Sequence, residues 1–335
     1  MLYHIDPLWN NGSQHSNKSY RNVVVFGTYN RAHLMRQSMY AYQELLSEDD
    51  AVVVLDDGST DDTLQVCEMY SKYIDVFYFK LEDKQPGEWR DSAAFLNMGI
   101  SFAIHALNAQ RVIPTHPEIV PGVLTFKAIE TVPQGIDFVM FRGYYLPVEL
   151  QLRYEAFFDM VRRGYIGDRW SIHNFKALCP DFYDYGDKNH DFHPNNLEAD
   201  KRAFDSWIFC AATSQTWKRF KGIPESSNWG TVDMAFMKQR YEFGFTTATP
   251  NEIDTWVCHQ NHDDPTRNVL TPRVMEVWVE DMKANHDQYT TIESKPDYLN
   301  PRRWEPVYMA GIRNEDGSNV LASDVLESFG KLKDQ

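Results

Sequence analysis

Several stretches of this chain carry side chains able to do chemistry. The clearest is Asp56-Asp57-Gly58-Ser59-Thr60-Asp61-Asp62, which ends a short apolar run, Val52 to Leu55. Gly58 can take a positive φ, and Ser59 or Thr60 can cap a helix starting near Asp61. Asp56 and Asp57 then stand at a strand end, where a carboxylate can accept a base N–H or a ribose hydroxyl. The same residue types also favour a plain capped turn, so the loop alone does not decide. His116-Pro117-Glu118 offers other donors: Glu118 is a hard oxygen ligand for Mg2+ or Mn2+, and His116 favours Mn2+. Asp233 opens a segment of helical spacing, 234–243, closed by Gly244 as a plausible C-cap. The helix N-terminal dipole keeps such a carboxylate ionised, and a simple N-cap is the plainer reading. His259 and His262 follow in Trp256-Val257-Cys258-His259-Gln260-Asn261-His262. On an extended strand, residues three apart face opposite sides, so one of the two, with His259 preferred, is expected to point inward.

The elements that must position these groups are legible upstream. Val23-Val24-Val25-Phe26 and Val52-Val53-Val54-Leu55 are continuous β-branched runs, the pattern of parallel strands buried on both faces. Between them, residues 32–46 carry apolar side chains at near-helical spacing. Residues 63–73 read as a helix, 75–81 as a third strand, and 82–90 as a polar loop. Residues 91–109 read as a long core helix, within which Gly99 allows close packing on the strands. Arg111 begins a fourth strand that exits at His116, and a helix is expected after Pro121-Gly122. Strands are expected over 137–146 and 207–212, with a short helix at 213–219. Residues 147–200 show no clear period, residues 1–20 read as an irregular arm, and helices are expected at 274–284 and 320–332. In open α/β sheets, ligands bind outside the carboxyl ends of the strands, where these polar loops lie.

Val-Val-Val-Phe-Gly-Thr-Tyr-Asn-Arg (23–31), followed by Val-Val-Leu-Asp-Asp-Gly-Ser-Thr-Asp-Asp-Thr (53–63), resembles the opening of family 2 glycosyltransferases of the GT-A fold. A second resemblance lies at Trp229, Gly230, Asp233, Arg240 and Gly244, against a family pattern of Trp-Gly-x-Glu-Asp before an amphipathic helix. Val232 replaces the usual Glu, and Gly222-Ile223-Pro224-Glu225 stands where the family has Gly-Gly-Phe-Asp-Glu. The resemblance implies a Rossmann-like, mostly parallel α/β sheet flanked by helices, with an irregular insertion and a C-terminal helical extension. It implies an arm at 1–20, a catalytic domain at 21–268 (nucleotide half 21–145, acceptor half 146–268) and an extension from 269. It further implies transfer of a sugar from a nucleotide-sugar donor, a UDP-sugar by expectation, to a hydroxyl of a glycan, protein or small molecule, with inversion. Asp233 falls at the catalytic base. Thr28, Tyr29, Asn30, Arg31, Asp56, Asp57, Gly58, Arg90, Asn97, Trp229 and Gly230 fall on the nucleotide-sugar site. The family's Asp-x-Asp metal motif is absent, and His116-Pro117-Glu118 takes its place. Glu118, His116, His259 and His262 become the expected ligands of a divalent cation, Mn2+ ahead of Mg2+. A non-catalytic GT-A binding domain and a nucleotidyltransferase are the competing readings. A Rossmann dehydrogenase is disfavoured, because no Gly-x-Gly-x-x-Gly follows the first strand.

Bulk properties narrow the field. A chain of 335 residues with 43% hydrophobic and 24% charged residues is ordinary for a globular α/β protein. The net charge of −15 argues against nucleic acid as a partner. No stretch approaches the length of a membrane span, and the N-terminus does not read as a signal peptide. Cys67, Cys179, Cys210 and Cys258 show no metal-ligand spacing, which fits free thiols and a cytoplasmic location. The extension beyond residue 269 is a candidate subunit contact.

Overall fold

The computed structural model describes residues 1–5, 18–81, 92–165 apart from 142 and 147, 209–223, 228–229, 236, 240, 243–250, 253–262, 308–313 and 319–321. Its centre is the parallel quartet expected from the apolar runs: β2 (Asn22–Thr28), β3 (Asp50–Asp56), β4 (Asp75–Lys80) and β5 (Arg111–Thr115). All seven residues of β3 are buried, as a strand covered on both faces requires. The sheet is completed by β1 (Leu2–Ile5), β7 (Phe138–Met140), β9 (Cys210–Thr213) and β11 (Thr247–Ala248), in the order β1-β4-β3-β2-β5-β9-β7-β11. Every neighbouring pair is parallel except those made by β9, which runs against both β5 and β7. The first five residues are therefore no irregular arm. Leu2 to Ile5 pair with Val76 to Phe79, and Tyr3 stacks on Phe77 at 4.7 Å between centroids.

Helices α1 (Ala32–Leu45), α2 (Thr63–Tyr70) and α3 (Ser92–His105) connect the strands. Residues 93 to 104 of α3 are all buried, so this helix is covered on every side, as a central element must be. A Cβ on Gly99 would lie 2.3 Å from Val25 Cγ1 and 2.8 Å from Leu55 Cδ1, so the expected close approach of α3 to β2 and β3 is present. Gly99→Ala should then destabilise the fold despite its better helix propensity. Overpacking of this kind costs about 1–3 kcal/mol, more than the ~1 kcal/mol that Ala gains over Gly in a helix. Chemical denaturation of the two proteins measures the difference; a stabilised variant would show that the helix can draw back.

A second, three-stranded sheet joins β6 (Ile119–Val120), β12 (Val257–His259) and β8 (Gly143–Tyr145), with β12 between the other two. The single strand expected over 137–146 is thus divided between two sheets. Helix α4 (Thr125–Glu130) starts after Gly122, whose missing Cβ admits the Asp254 and Trp256 carbonyls. Helix α5 (Val148–Arg162) occupies the start of the stretch that showed no periodicity. Its Tyr154, Phe157 and Phe158 form a second apolar cluster with Val120, Trp256 and Cys258. Helix α6 (Ser214–Phe220) is capped by Thr213, whose hydroxyl accepts from Thr216 N. Of the expected helix over 234–243, residues 236 and 240 are helical, and Gly244 at φ +69° closes it as expected. β10 (Asn228–Trp229), β13 (Tyr308–Arg313) and β14 (Asn319–Leu321) make a third small sheet. Val320 thus belongs to a strand and does not begin a helix; the helix expected at 274–284 lies outside the described residues.

Candidate active site

The register of the central strands sets the site. Thr28 lies opposite Asp56, and Phe26 lies opposite Thr115, so the exit loops of β2, β3 and β5 share one edge of the sheet. β3 and β4 extend from one side of β2 and β5 from the other, which puts a topological switch point, with its crevice, between β2 and β5.

The loops after β2 and β3 are tied to each other. Asp57 N donates to Thr28 O at 2.9 Å, Asn30 N donates to Ser59 Oγ at 2.9 Å, and Thr60 N donates to Asn30 Oδ1 at 2.8 Å. Asn30 takes a left-handed φ of 51°, a conformation that Asn tolerates better than most residues. Neither Ser59 nor Thr60 caps α2. Asp61 instead meets the first N–H of each helix: its Oδ1 accepts from Thr63 N at 3.1 Å and its Oδ2 from Ala32 N at 2.9 Å. Asp56 is framework: Oδ1 accepts from Ser59 N at 2.7 Å and Oδ2 accepts from the Tyr78 hydroxyl. Gly58 turns the chain at φ +79°. Around this braced turn, Asp57 is 5% exposed and Tyr29 is 42% exposed. Thr28 Oγ1 is buried and has no hydrogen-bond partner among the described residues.

The third loop brings a carboxylate and imidazoles together. Glu118, 6% exposed, has Oε1 3.3 Å from His262 Nε2, 3.9 Å from His259 Nε2 and 3.9 Å from His116 Nδ1. Arg31 Nη1 stands 3.8 Å from Glu118 Oε2. One ligand atom each from Glu118, His259 and His262 lies within 4.8 Å of the others, an arrangement able to hold a cation. His116 adjoins this set without belonging to it. The two histidines do not face opposite ways, contrary to the strand argument. β12 ends at His259, so period-two alternation no longer applies at His262, and the rings stack with centroids 5.1 Å apart.

The electrostatics suit a metal-ready site. Burial alone would raise the Glu118 carboxyl, but the His262 ring, the neighbouring imidazoles and the Arg31 guanidinium hold it well below the usual carboxylate range. Burial pushes His259 down to about 4 against the pull of Glu118, and lowers His116 likewise. At neutral pH these two rings are uncharged, so among the fixed charges it is Arg31 that opposes Glu118. His259 Nδ1 sits 2.9 Å from the Gln260 carbonyl, and a carbonyl can only accept. The proton is therefore on Nδ1, and the Nε2 lone pair faces Glu118, as a ligand's would.

Asn97 is buried in α3, and its amide is used twice by the backbone: Nδ2 donates to Ile223 O at 2.6 Å and Oδ1 accepts from Ile223 N at 2.7 Å. Asp233, Gly230 and Arg90 lie outside the described residues, and Trp229 is described only as backbone in β10. No motif in the sequence singles out Tyr78, Ser38 or Gln260. The one available signal for Gln260 was its polarity between two histidines.

Comparison with known proteins bears first on the fold. S. aureus TarS 1-349 in complex with UDP-GlcNAc superposes with a TM-score of 0.51 at 14% identity, over 84% of this chain and 72% of that one. Another structure of TarS 1-349 gives a TM-score of 0.48 at 14% identity, and this chain covers 60% of its length. The Pyrobaculum calidifontis mannosyltransferase PcManGT, in complex with GDP-Man and Mn2+, gives 0.47 at 16% identity, over 89% of this chain and 71% of that one. At such identities the first of these likenesses speaks to the fold, a GT-A glycosyltransferase fold. A comparison with curated proteins finds no match. Residues 23–103, from β2 through α3, match the glycosyl transferase family 2 profile, and the chain has a GT-A-like fold. No described helix is long and apolar enough to cross a membrane. Cys67, Cys210 and Cys258 are free and buried.

Proposed function

We propose that the chain transfers a sugar from a UDP-sugar to an acceptor hydroxyl with inversion, using a divalent cation held by Glu118, His259 and His262. The convergence of those three ligand atoms at the carboxyl edge carries this reading. A buried, ionised carboxylate beside a neutral imidazole with its Nε2 lone pair presented is a donor set that fits such an ion, and the nitrogens favour Mn2+ over Mg2+. When bound, the cation would offset charge building on the leaving diphosphate. Support for a uridine donor comes from the TarS complex with UDP-GlcNAc.

In this reading the chain's own residues do the following. The turn braced by Asp56 and Tyr78 presents Asp57 for the base and ribose, and Tyr29 offers an exposed ring for stacking. Arg31, whose Nη1 makes no hydrogen bond among the described residues, turns to a donor phosphate once Glu118 is otherwise engaged. Asp233 takes the acceptor proton as the oxygen attacks the anomeric carbon in line. The Asn97 clamp supports this role for Asp233. Phe95 Cβ lies against Gly27 and Gly99 lies against Val25, so α3 runs with its N-terminal half toward the carboxyl edge. Ile223, fastened to Asn97 there, begins the segment that leads to Asp233.

Turnover should stop on chelation with EDTA and return with Mn2+ more fully than with Mg2+. In a thermal-shift panel, UDP-sugars should raise the melting temperature further with Mn2+ present, since ligands that bind the native state stabilise it. Turnover that persists in EDTA would refute the cation's part.

A further inference from the structure

We propose that Gln260 is a positioning residue for the Glu118–His259–His262 centre; the inference rests on the cation-binding reading above. Gln260 is fully buried, and every hydrogen bond that it makes among the described residues bears on that centre or on the start of α1. Its Nε2 donates to Glu118 O at 3.1 Å and to Leu34 O at 3.0 Å. Its backbone N–H donates to the same Glu118 carbonyl at 3.1 Å. Its own carbonyl accepts a hydrogen bond from His259 Nδ1 at 2.9 Å, which fixes that ring's tautomer. One residue thus joins the backbone of the carboxylate ligand, the orientation of one imidazole and the first turn of the helix that follows Arg31. His262 is two residues further on. From the α1 side, Ser38 Oγ donates to Pro117 O at 2.8 Å, so the loop carrying Glu118 is held at two successive carbonyls.

The oxygen of the amide is unfavourable where it stands. Gln260 Oε1 is buried and has no hydrogen-bond partner among the described residues, and an unsatisfied buried acceptor is unfavourable. An apolar side chain of equal size would avoid that cost while losing the two Nε2 bonds. Its orientation is not in doubt: turning the amide over would set Oε1 against two carbonyl oxygens, so the donors must face Glu118 and Leu34. The sequence thus keeps, between two ligand histidines, a group whose gain lies in geometry. Partners outside the ligand set orient metal ligands elsewhere in this way, and their loss typically weakens metal affinity about 10–100-fold.

The test is Mn2+ affinity, followed by the electron paramagnetic resonance of free Mn2+, in the wild type, Gln260→Met, Ser38→Ala and His262→Ala, with melting temperatures measured alongside. Gln260→Met keeps the volume and removes the donors. We expect it to weaken Mn2+ binding about 10-fold or more and to change the line shape of the bound ion, with a melting temperature close to that of the wild type. Ser38→Ala, which leaves every ligand in place, should weaken binding in the same direction and serves if Gln260→Met fails to fold. Wild-type affinity and line shape in Gln260→Met, or in Ser38→Ala where the former does not fold, would overturn the positioning role. If His262→Ala still lost binding, the cation site itself would stand. A wild type that bound no Mn2+ would overturn both.

Discussion

Asp233→Asn is expected to leave donor binding near normal and to lower transfer by about 10^2–10^4-fold, the usual contribution of a positioned general base. The amide is nearly the same size as the carboxylate and can still cap a helix, so folding should survive. It cannot take the acceptor proton. The separation matters because Asp233 follows Trp229-Gly230 and precedes a segment whose helical residues 236 and 240 pack into the described fold. Phe236 sits among Phe138, Trp217 and Phe220, and Ile223 is clamped to Asn97, so described residues before and after Asp233 in the sequence are held in the fold. Steady-state kinetics should show kcat falling with little change in the donor's KM. Transfer at near wild-type rate would remove Asp233 from the mechanism.

Glu118→Gln should be as damaging through a different route. It removes the negative charge from the centre of three imidazoles and leaves Arg31 without its counter-ion. The cation would lose its oxygen ligand. If charge stabilisation of the leaving diphosphate supplies about 4 kcal/mol, its loss corresponds to a fall of about a thousandfold. Unlike Asp233→Asn, this variant should also lose the Mn2+-dependent part of donor binding, visible as a smaller thermal shift with UDP-sugar and Mn2+ together. A Glu118→Gln protein that retained Mn2+-stimulated turnover would show that the carboxylate is structural.

Much of this arrangement can be read from the sequence, for identifiable reasons. Two uninterrupted β-branched runs and the polar loops after them signal buried parallel strands and their ligand-facing edge. Gly99 is legible because only a missing side chain allows α3 so close to Val25 and Leu55. Glu118, His259 and His262 are recognisable as donors by type, but only the resemblance implies that they converge, because 258–259 reach Glu118 through a pairing with 119–120 that no local pattern encodes. The strand rule misplaces His262 for want of knowing that the strand stops at His259. Helix α5 is hidden because its buried face is largely aromatic, with Tyr154, Phe157 and Phe158, in a stretch rich in polar aromatic residues. β1 is hidden because four residues carry little periodicity of their own and are strand only by pairing with β4. Asp56 reads as a ligand contact from its position, and it is the Tyr78 hydroxyl, from the neighbouring strand, that makes it part of the frame.

The central claim is that Glu118, His259 and His262 grip one cation at the crevice between β2 and β5. A crystal structure with Mn2+ and UDP, read by anomalous scattering at the manganese edge, tests it most directly. The account predicts one strong peak with Glu118 and the Nε2 atoms of both histidines as direct ligands and the diphosphate on its open side. A peak held by other residues, or a diphosphate bound there with no metal beside Glu118, would contradict it.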